Sequence, residues 1–452
     1  MEREKFGSRF AVIMALAGSA IGLGNIWRFP YMVGENGGAA FIIMYMAASL
    51  VLSLPLFFAE FVIGRKSRAN CIGAMKKLAP GSAWRWLGML CIVTPMIIVS
   101  YYSVVGGWSL NFLWRSLALE FSASNADVVT GLFGGFISST WAPLAFFLLY
   151  LCIAGVIVAT GVKKGIELFS KVSIPLLFVL VVLIALYSLS IPGAERGVEY
   201  LLKPDFSRIT ASTCVNALGQ SFYSLSLGMG ILITYSSYVP KEENAVASGV
   251  GAAVSDLVFA IIAGFAVMPA VFAAGIEPGS GPGLVFQTIP YIFSTMGATM
   301  PFLSAVVAVL FFLTILVAAL TSTVSLLEVG VAYLIEERGF TRRRATVVVF
   351  CFAAVVGALC SLSFGPLAGV KIAGLPIFDA LDKFSSNVLL AAGGFLCVVF
   401  VGWRMKREDV KEEFTNGGTL TFNNRIFGTV YFLMRWAAPA AIVAIVLSNI
   451  LI

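Results

Sequence analysis

Gly18-Ser19-Ala20-Ile21-Gly22-Leu23-Gly24-Asn25 puts three glycines into the middle of an apolar run. Each costs a helix interior about 1 kcal/mol relative to alanine. In hydrocarbon, a backbone group freed by such a break needs a partner. A bound ion or polar ligand can be that partner. Free carbonyls suit Na⁺, and free N–H groups at a new helix start suit a carboxylate. A second break, GQSFYSLSLGMG at 219–230, adds the hydroxyls of Ser224 and Ser226. Asn25 and Asp256 stand near the ends of apolar runs, and Thr321, Ser322, Thr323 and Ser325 form a hydroxyl cluster inside another. A buried carboxylate costs several kcal/mol unless paired, so an ionisable residue within a membrane is a functional candidate by default. Three blander readings stay open at this point: small residues packing helices closely, hydroxyls bonding between helices, and Asp256 pairing a lysine at the membrane edge. A dinucleotide loop is excluded, because the flanks make no strand–helix unit.

The elements carrying these groups follow from composition. Of 452 residues, 59% are hydrophobic and 12% charged. Soluble domains carry about 25% charged residues, so this is an all-α polytopic membrane protein. The long runs exceed the alternating strands of an outer-membrane barrel. No histidine is present, which removes imidazole relays, ligands and bases. The seven cysteines form no CxxC and read as small core residues. No catalytic triad, metal cluster or ATP-binding loop is visible, so the chain is not read as an enzyme or an ATP-driven pump. The net charge of +7 fits membrane orientation and not nucleic-acid binding. The charged Met1–Arg9 segment precedes an apolar run without a small-residue cleavage site, so no cleaved leader is expected.

Eleven spans are predicted near 10–34, 39–63, 87–115, 142–160, 167–190, 212–237, 249–274, 303–335, 345–362, 375–402 and 426–451. With the N-terminus inside, 22 of the 30 basic residues fall on the cytoplasmic side, which predicts N-in, C-out. The stretches 116–141, 191–211 and 276–301 become outer loops. The apolar Leu284-Val285-Phe286 predicts that the third dips into the protein. Gly22-Leu23-Gly24 and Gly228-Met229-Gly230 sit at matching places in spans one and six. Paired glycine interruptions of this kind point to a transporter with broken helices. Five spans per half force the halves to be inverted. The expected division is a 1–402 core, with repeats at about 10–190 and 212–402. A 403–452 segment follows, made of a cytoplasmic linker and the eleventh helix.

The stretch AGSAIGLGNIWRFPY at 17–31, followed by Glu35-Asn36-Gly37-Gly38, resembles the signature of the neurotransmitter:sodium symporters. Tyr101-Tyr102, the 219–230 segment, TYSSYVPK at 234–241, LTSTVSLLE at 320–328 and FDALDKF at 378–384 match in order. The resemblance is strongest to the bacterial amino acid transporters of that family. It implies two inverted five-helix repeats with broken helices one and six, and two Na⁺ sites without an organic cofactor. A first Na⁺ would meet the substrate carboxylate, the Ala20 carbonyl, Asn25, Ser224 and Asp256. A second would meet the carbonyls of Gly18, Ile21 and Ala318 and the hydroxyls of Thr321 and Ser322. The substrate carboxylate would meet the Leu23 and Gly24 N–H groups and the Tyr102 hydroxyl. Its ammonium would meet carbonyls of Ala20, Tyr223 and Ser224 and the Ser226 hydroxyl. Ile98, Tyr223, Met229, Ser322, Ser325 and Leu326 would line the side-chain pocket.

The resemblance also implies an outer gate, Arg28–Asp382 over Tyr223, and an inner gate, Arg3–Glu336 braced by Tyr238. Gly165 and Pro175 match a hinge on span five, where proline cannot supply an intrahelical N–H; an inert kink is the alternative. Phe6, Glu336 and Asp256 depart from the residues the family more often has at those places. Asp256 stands where many members have Asn beside an anion site; Tyr45, Gln220 and Ser224 could donate to chloride there, but the fixed Asp256 carboxylate and Ala260, which offers no hydroxyl, predict chloride independence. The implied activity is Na⁺-coupled symport of hydrophobic and aromatic L-amino acids by alternating access. The partners are substrate, Na⁺ and the lipid bilayer, without an obligate protein partner. Proton coupling on the same fold, or a non-transporting amino acid sensor, are the alternatives.

Overall fold

The computed structural model describes residues 4–123, 126–275 and 285–451. Among the described residues, nine helices are long and apolar enough to cross a membrane. They are Ala39–Ser67, Arg85–Leu117, Trp141–Ala159, Val162–Ser190, Ala245–Ala273, Pro301–Arg338, Arg342–Leu362, Ile377–Arg404 and Thr421–Leu447. A tenth span is the bent pair Arg9–Ala20 and Gly24–Glu35, which meet at 51°. Between Val162–Ser190 and Ala245–Ala273 lie two short helices, Ala211–Ser224 and Ile231–Ser236. They occupy the place expected for span six. With it the order matches the eleven expected spans, numbered one to eleven below, and the two breaks fall at corresponding positions of two five-span halves.

Both breaks have local causes. Ile21 leaves helical geometry with ψ at 107°. Gly22 lies so close to spans three and eight that an added Cβ would run into the Ser322 hydroxyl and meet the Tyr102 hydroxyl at 3.0 Å. In span six, Ser226, Gly228 and Gly230 all take positive φ, at 54°, 80° and 71°. Left-handed backbone suits glycine and strains serine. The Ser226 side chain offsets part of that strain by donating to the Ser19 carbonyl at 2.7 Å, which ties the second break to the first.

Burial sorts the spans. Spans three and eight are 72% buried within their most apolar windows, and span eleven is 33% buried. The breaks of one and six therefore sit among the most enclosed helices. Outward-facing Leu149, Val156, Leu186 and Val355 form an apolar belt that suits hydrocarbon. Exposed Trp86, Trp114, Trp141 and Trp403 stand near span ends, where indoles favour the membrane interface.

The connecting segments are structured. Phe286 is buried and packs its ring against Trp108, Phe112 and Phe133 at 5.9, 5.3 and 5.3 Å. The Val285-Phe286 part of the third long loop thus enters the protein; Leu284 lies outside the described residues. The 403–425 stretch holds a helix, Arg407–Thr415, docked on span two. There Arg65, 1% exposed, reaches Glu413 Oε2 through Nε at 2.9 Å and the Glu243 carbonyl through Nη1 at 2.7 Å.

Candidate functional site

The two breaks face one cavity. Its lining includes Ala20, Gly22 and Gly24 from span one, and Tyr223, Ser224, Ser226, Met229 and Ile231 from span six. Ile98 and Tyr102 come from span three, and Ser322 and Leu326 from span eight. The space open to the centre of a water-sized sphere is about 30 Å³. That suits about one or two waters and no amino acid side chain, so the site stands contracted in this conformation. One end is polar and backbone-rich. The wall is apolar, with the unbranched Met229 buried in it.

At the polar end the Leu23 N–H donates to the Tyr102 hydroxyl at 3.1 Å. Beside it lies a compact cluster. The Asn25 amide donates to Asp256 Oδ1 at 2.7 Å and to Ser224 Oγ at 3.1 Å. The Ser224 hydroxyl lies 2.9 and 2.8 Å from the two Asp256 oxygens, and the Tyr45 hydroxyl donates to Oδ2 at 3.2 Å. Asn25 Oδ1 accepts the Gly22 N–H at 3.0 Å, which fixes the amide across the break. Asn25, Ser224 and Asp256 are all at most 2% exposed. The available donors to a cation are hard oxygens, as an alkali ion requires.

A second oxygen-rich place lies between spans one and eight. The Thr321 hydroxyl is 3.1 Å from the Ile21 carbonyl and 2.8 Å from the Ala318 carbonyl. Span five closes this side: a Cβ on Gly18 would meet Ile174 at 3.3 Å and the Ser170 hydroxyl at 3.5 Å. Gly165 lies in a widened turn, Val162–Glu167, and the helix then continues through Pro175 to Ser190. The Gly165–Pro175 segment is thus wound in this conformation.

Toward the end of the bundle remote from the basic loops, the cavity gives way to a vestibule of about 270 Å³. Arg28 and Asp382 both line it, without an ion pair between them within 4.0 Å. The Arg28 guanidinium instead lies over the Tyr223 ring at 4.9 Å, and Tyr223 separates vestibule from cavity. At the basic end Arg3 lies outside the described residues. Glu336 accepts from the Asn70 backbone and side chain at 2.8 and 3.0 Å. Tyr238 donates to Glu328 at 2.7 Å.

Not every expected residue joins the site. Ser325 turns its hydroxyl back onto the Ser322 carbonyl at 2.7 Å and does not line the cavity. Leu23 contributes its N–H but not its side chain. Sequence reasoning missed a second layer, in which Glu328, fully buried, pairs with Arg342 at 2.5 Å. Phe6, singled out in the sequence, packs on Tyr235 and Tyr238 with ring centroids 6.0 Å apart in each pair. Glu60, also fully buried, accepts the Gly228 N–H at 2.6 Å and so holds the second break. A carboxylate inside an apolar span is a legible signal, and Glu60 and Glu328 both carried it.

Comparison with known proteins agrees with this geometry. The sequence model of the sodium:neurotransmitter symporter family matches residues 3–130 and 137–452. An uncharacterized sodium-dependent transporter of Bacillus subtilis, YhdH, is 36% identical over 99% of this chain and 97% of its own length. The sodium-dependent serotonin transporter of Drosophila melanogaster is 27% identical over 85% of this chain and 71% of its own. Among solved structures, MhsT in complex with L-phenylalanine superposes with a TM-score of 0.90 at 41% identity, covering 99% of this chain and all of that one.

Proposed function

Since the chain belongs to the sodium:neurotransmitter symporter family and is a sodium-dependent multi-pass transporter, not an enzyme, we propose that it carries hydrophobic and aromatic L-amino acids into the cell with Na⁺. One observation carries this reading: both helix breaks open onto a single cavity with an apolar wall and a polar end of backbone and hydroxyl groups. L-phenylalanine in MhsT, at 41% identity, supports an amino acid with an apolar side chain.

The chain's own groups divide the work. The Leu23 and Gly24 N–H groups and the Tyr102 hydroxyl receive the substrate carboxylate. The Ser226 hydroxyl, already donating to Ser19, keeps its oxygen free to accept from the ammonium. Asp256, Ser224, the second lone pair of Asn25 Oδ1 and the Ala20 carbonyl, together with the substrate carboxylate, supply oxygens for one Na⁺. Thr321, Ser322 and the carbonyls of Gly18, Ile21 and Ala318 supply a second. Substrate and ion then share the first site, because Ala20 and Ser224 border both. That sharing makes binding mutually dependent, which is the thermodynamic content of coupling. Asp256 supplies the negative charge locally, so transport is chloride-independent.

The contracted cavity beneath an open vestibule fits alternating access. Substrate enters past Tyr223, Arg28 approaches Asp382 above it, and the Phe6–Tyr238 and Glu328–Arg342 contacts release at the basic end. Those loops face the cytoplasm of the inner membrane, with the N-terminus inside and the C-terminus outside. Gly165 and Pro175 let the start of span five unwind and hydrate the second ion.

Proteoliposome uptake of labelled phenylalanine under separately imposed Na⁺ and H⁺ gradients tests this. Uptake should follow the inward Na⁺ gradient and collapse without it. Uptake driven by the proton gradient alone would overturn Na⁺ coupling. Competition by leucine, valine and tryptophan should compete out the label, and indifference to all three would overturn the substrate class.

A further inference from the structure

A groove of about 680 Å³ opens between spans ten and eleven on the membrane-facing side, away from the substrate cavity. It is lined by apolar side chains except at its head, where Lys383 and Asn387 stand. On span ten the lining runs from Lys383 to Phe395, twelve helical rises or about 18 Å. A single leaflet's hydrocarbon is about 15 Å deep. The groove therefore spans one leaflet, with its polar head near the interface, where Ile377 begins the span. Its slot lies between two directly packed helices. A widened turn at Ser385–Leu389 adjoins the head, an irregularity that often marks functional places in helices.

Lys383 is exposed, and among the described residues it makes no hydrogen bond or ion pair. The ammonium attracts the Asp379 and Asp382 carboxylates without an ion pair to either, and at the head of an apolar, leaflet-deep slot it is complementary to a phosphate attached to an acyl chain. We propose that this groove binds one acyl chain of an anionic phospholipid, with its phosphate at Lys383, and that the bound lipid acts on the vestibule. Lys383 and Asn387 line both groove and vestibule, and Lys383 follows Asp382 in sequence. A phosphate drawing Lys383 to the groove side leaves the Asp382 carboxylate to Arg28, which favours closing over Tyr223.

Native mass spectrometry of the protein purified from vesicles of phosphatidylcholine with a minority of phosphatidylglycerol reads the binding. One phosphatidylglycerol should be retained per chain, preferred about fivefold over phosphatidylcholine, the effect of one interfacial basic residue. Lys383→Ala should erase the preference, and Val446→Trp, which fills the groove and keeps the lysine, should lose the retained lipid. Equal retention of both lipids by wild type, a preference surviving Lys383→Ala, or lipid kept by Val446→Trp would overturn the site. So would a homodimer cross-linked through Val443, since a second copy would then cover the groove. Initial uptake in vesicles with phosphatidylglycerol should exceed that in phosphatidylcholine alone for wild type and not for Lys383→Ala. Phosphatidylglycerol retained without such a gain would overturn the action on the vestibule.

Discussion

The Tyr102 hydroxyl accepts the Leu23 N–H at 3.1 Å, so two of the groups proposed for the substrate carboxylate hold each other. A carboxylate entering here replaces a neutral hydrogen bond with charge-assisted ones. Such bonds are worth about 1.5–3 kcal/mol each. Tyr102→Phe keeps the ring and removes the hydroxyl, so binding of labelled phenylalanine should weaken about 10- to 100-fold with folding intact. Unchanged affinity in saturation binding would remove Tyr102 from the carboxylate site.

Met229 lies in the apolar wall of the contracted cavity, buried and unbranched. It adapts to side chains of different shape. Met229→Phe adds rigid bulk to a wall that has little free space, and overpacking costs about 1–3 kcal/mol. Affinity should fall further for tryptophan than for valine. Equal losses in a competition assay would mean that Met229 does not meet the substrate side chain.

Arg65 and Glu413 tie span two to the Arg407–Thr415 helix, and both are nearly dry. Removing one partner of a buried pair costs about 3–5 kcal/mol, while removing both for apolar residues can be neutral. Arg65→Met should lower the thermal midpoint of the detergent-solubilised protein, and Arg65→Met with Glu413→Leu should recover much of it. Simple additivity in this cycle would show that the pair is not coupled.

That pair marks where sequence reading stops. Spans and breaks were legible because apolar length and clustered glycines are local signals, whereas the need for glycine at 22, where a Cβ would run into Ser322, depends on the break itself. The hydroxyls of Thr321 and Ser224 were legible through the family's motifs. Arg65 with Glu413, and Glu328 with Arg342 and Tyr238, were not: each joins residues far apart in the chain or across a turn whose direction only packing decides. Tyr238 donates to Glu328, two turns before Glu336 on span eight, and the sequence does not say which of the two acids the tyrosine meets. The contraction of the cavity is a property of one conformation, which a residue string does not encode.

The Thr321 hydroxyl spans the Ile21 and Ala318 carbonyls, so it already sits in an oxygen cage between the first break and span eight. An alkali ion stripped of water needs a full shell. Thr321→Ala with Ser322→Ala should raise the Na⁺ concentration for half-maximal phenylalanine binding about tenfold or more, a loss of at least about 1.4 kcal/mol. An unchanged Na⁺ requirement in the folded double variant would sink the second-site assignment.

Chloride dependence turns on the donors around Asp256. Tyr45 and Ser224 both direct their hydroxyls at its carboxylate, and the Gln220 amide donates to the Gly24 carbonyl at 3.0 Å. Ala260 has no hydroxyl to add. The groups that would otherwise cradle an anion are thus committed to an internal one. Chloride placed beside an ionised Asp256 would face like-charge repulsion where screening is weak. Replacing chloride with gluconate at fixed Na⁺ should leave initial uptake by wild type unchanged, and a large reversible loss would refute chloride independence. Asp256→Asn removes the fixed charge and frees Tyr45 and Ser224. Its uptake should fall in gluconate and recover in part when chloride returns. Normal uptake by Asp256→Asn in gluconate, with unchanged Na⁺ dependence, would show that this carboxylate does not balance the ion's charge.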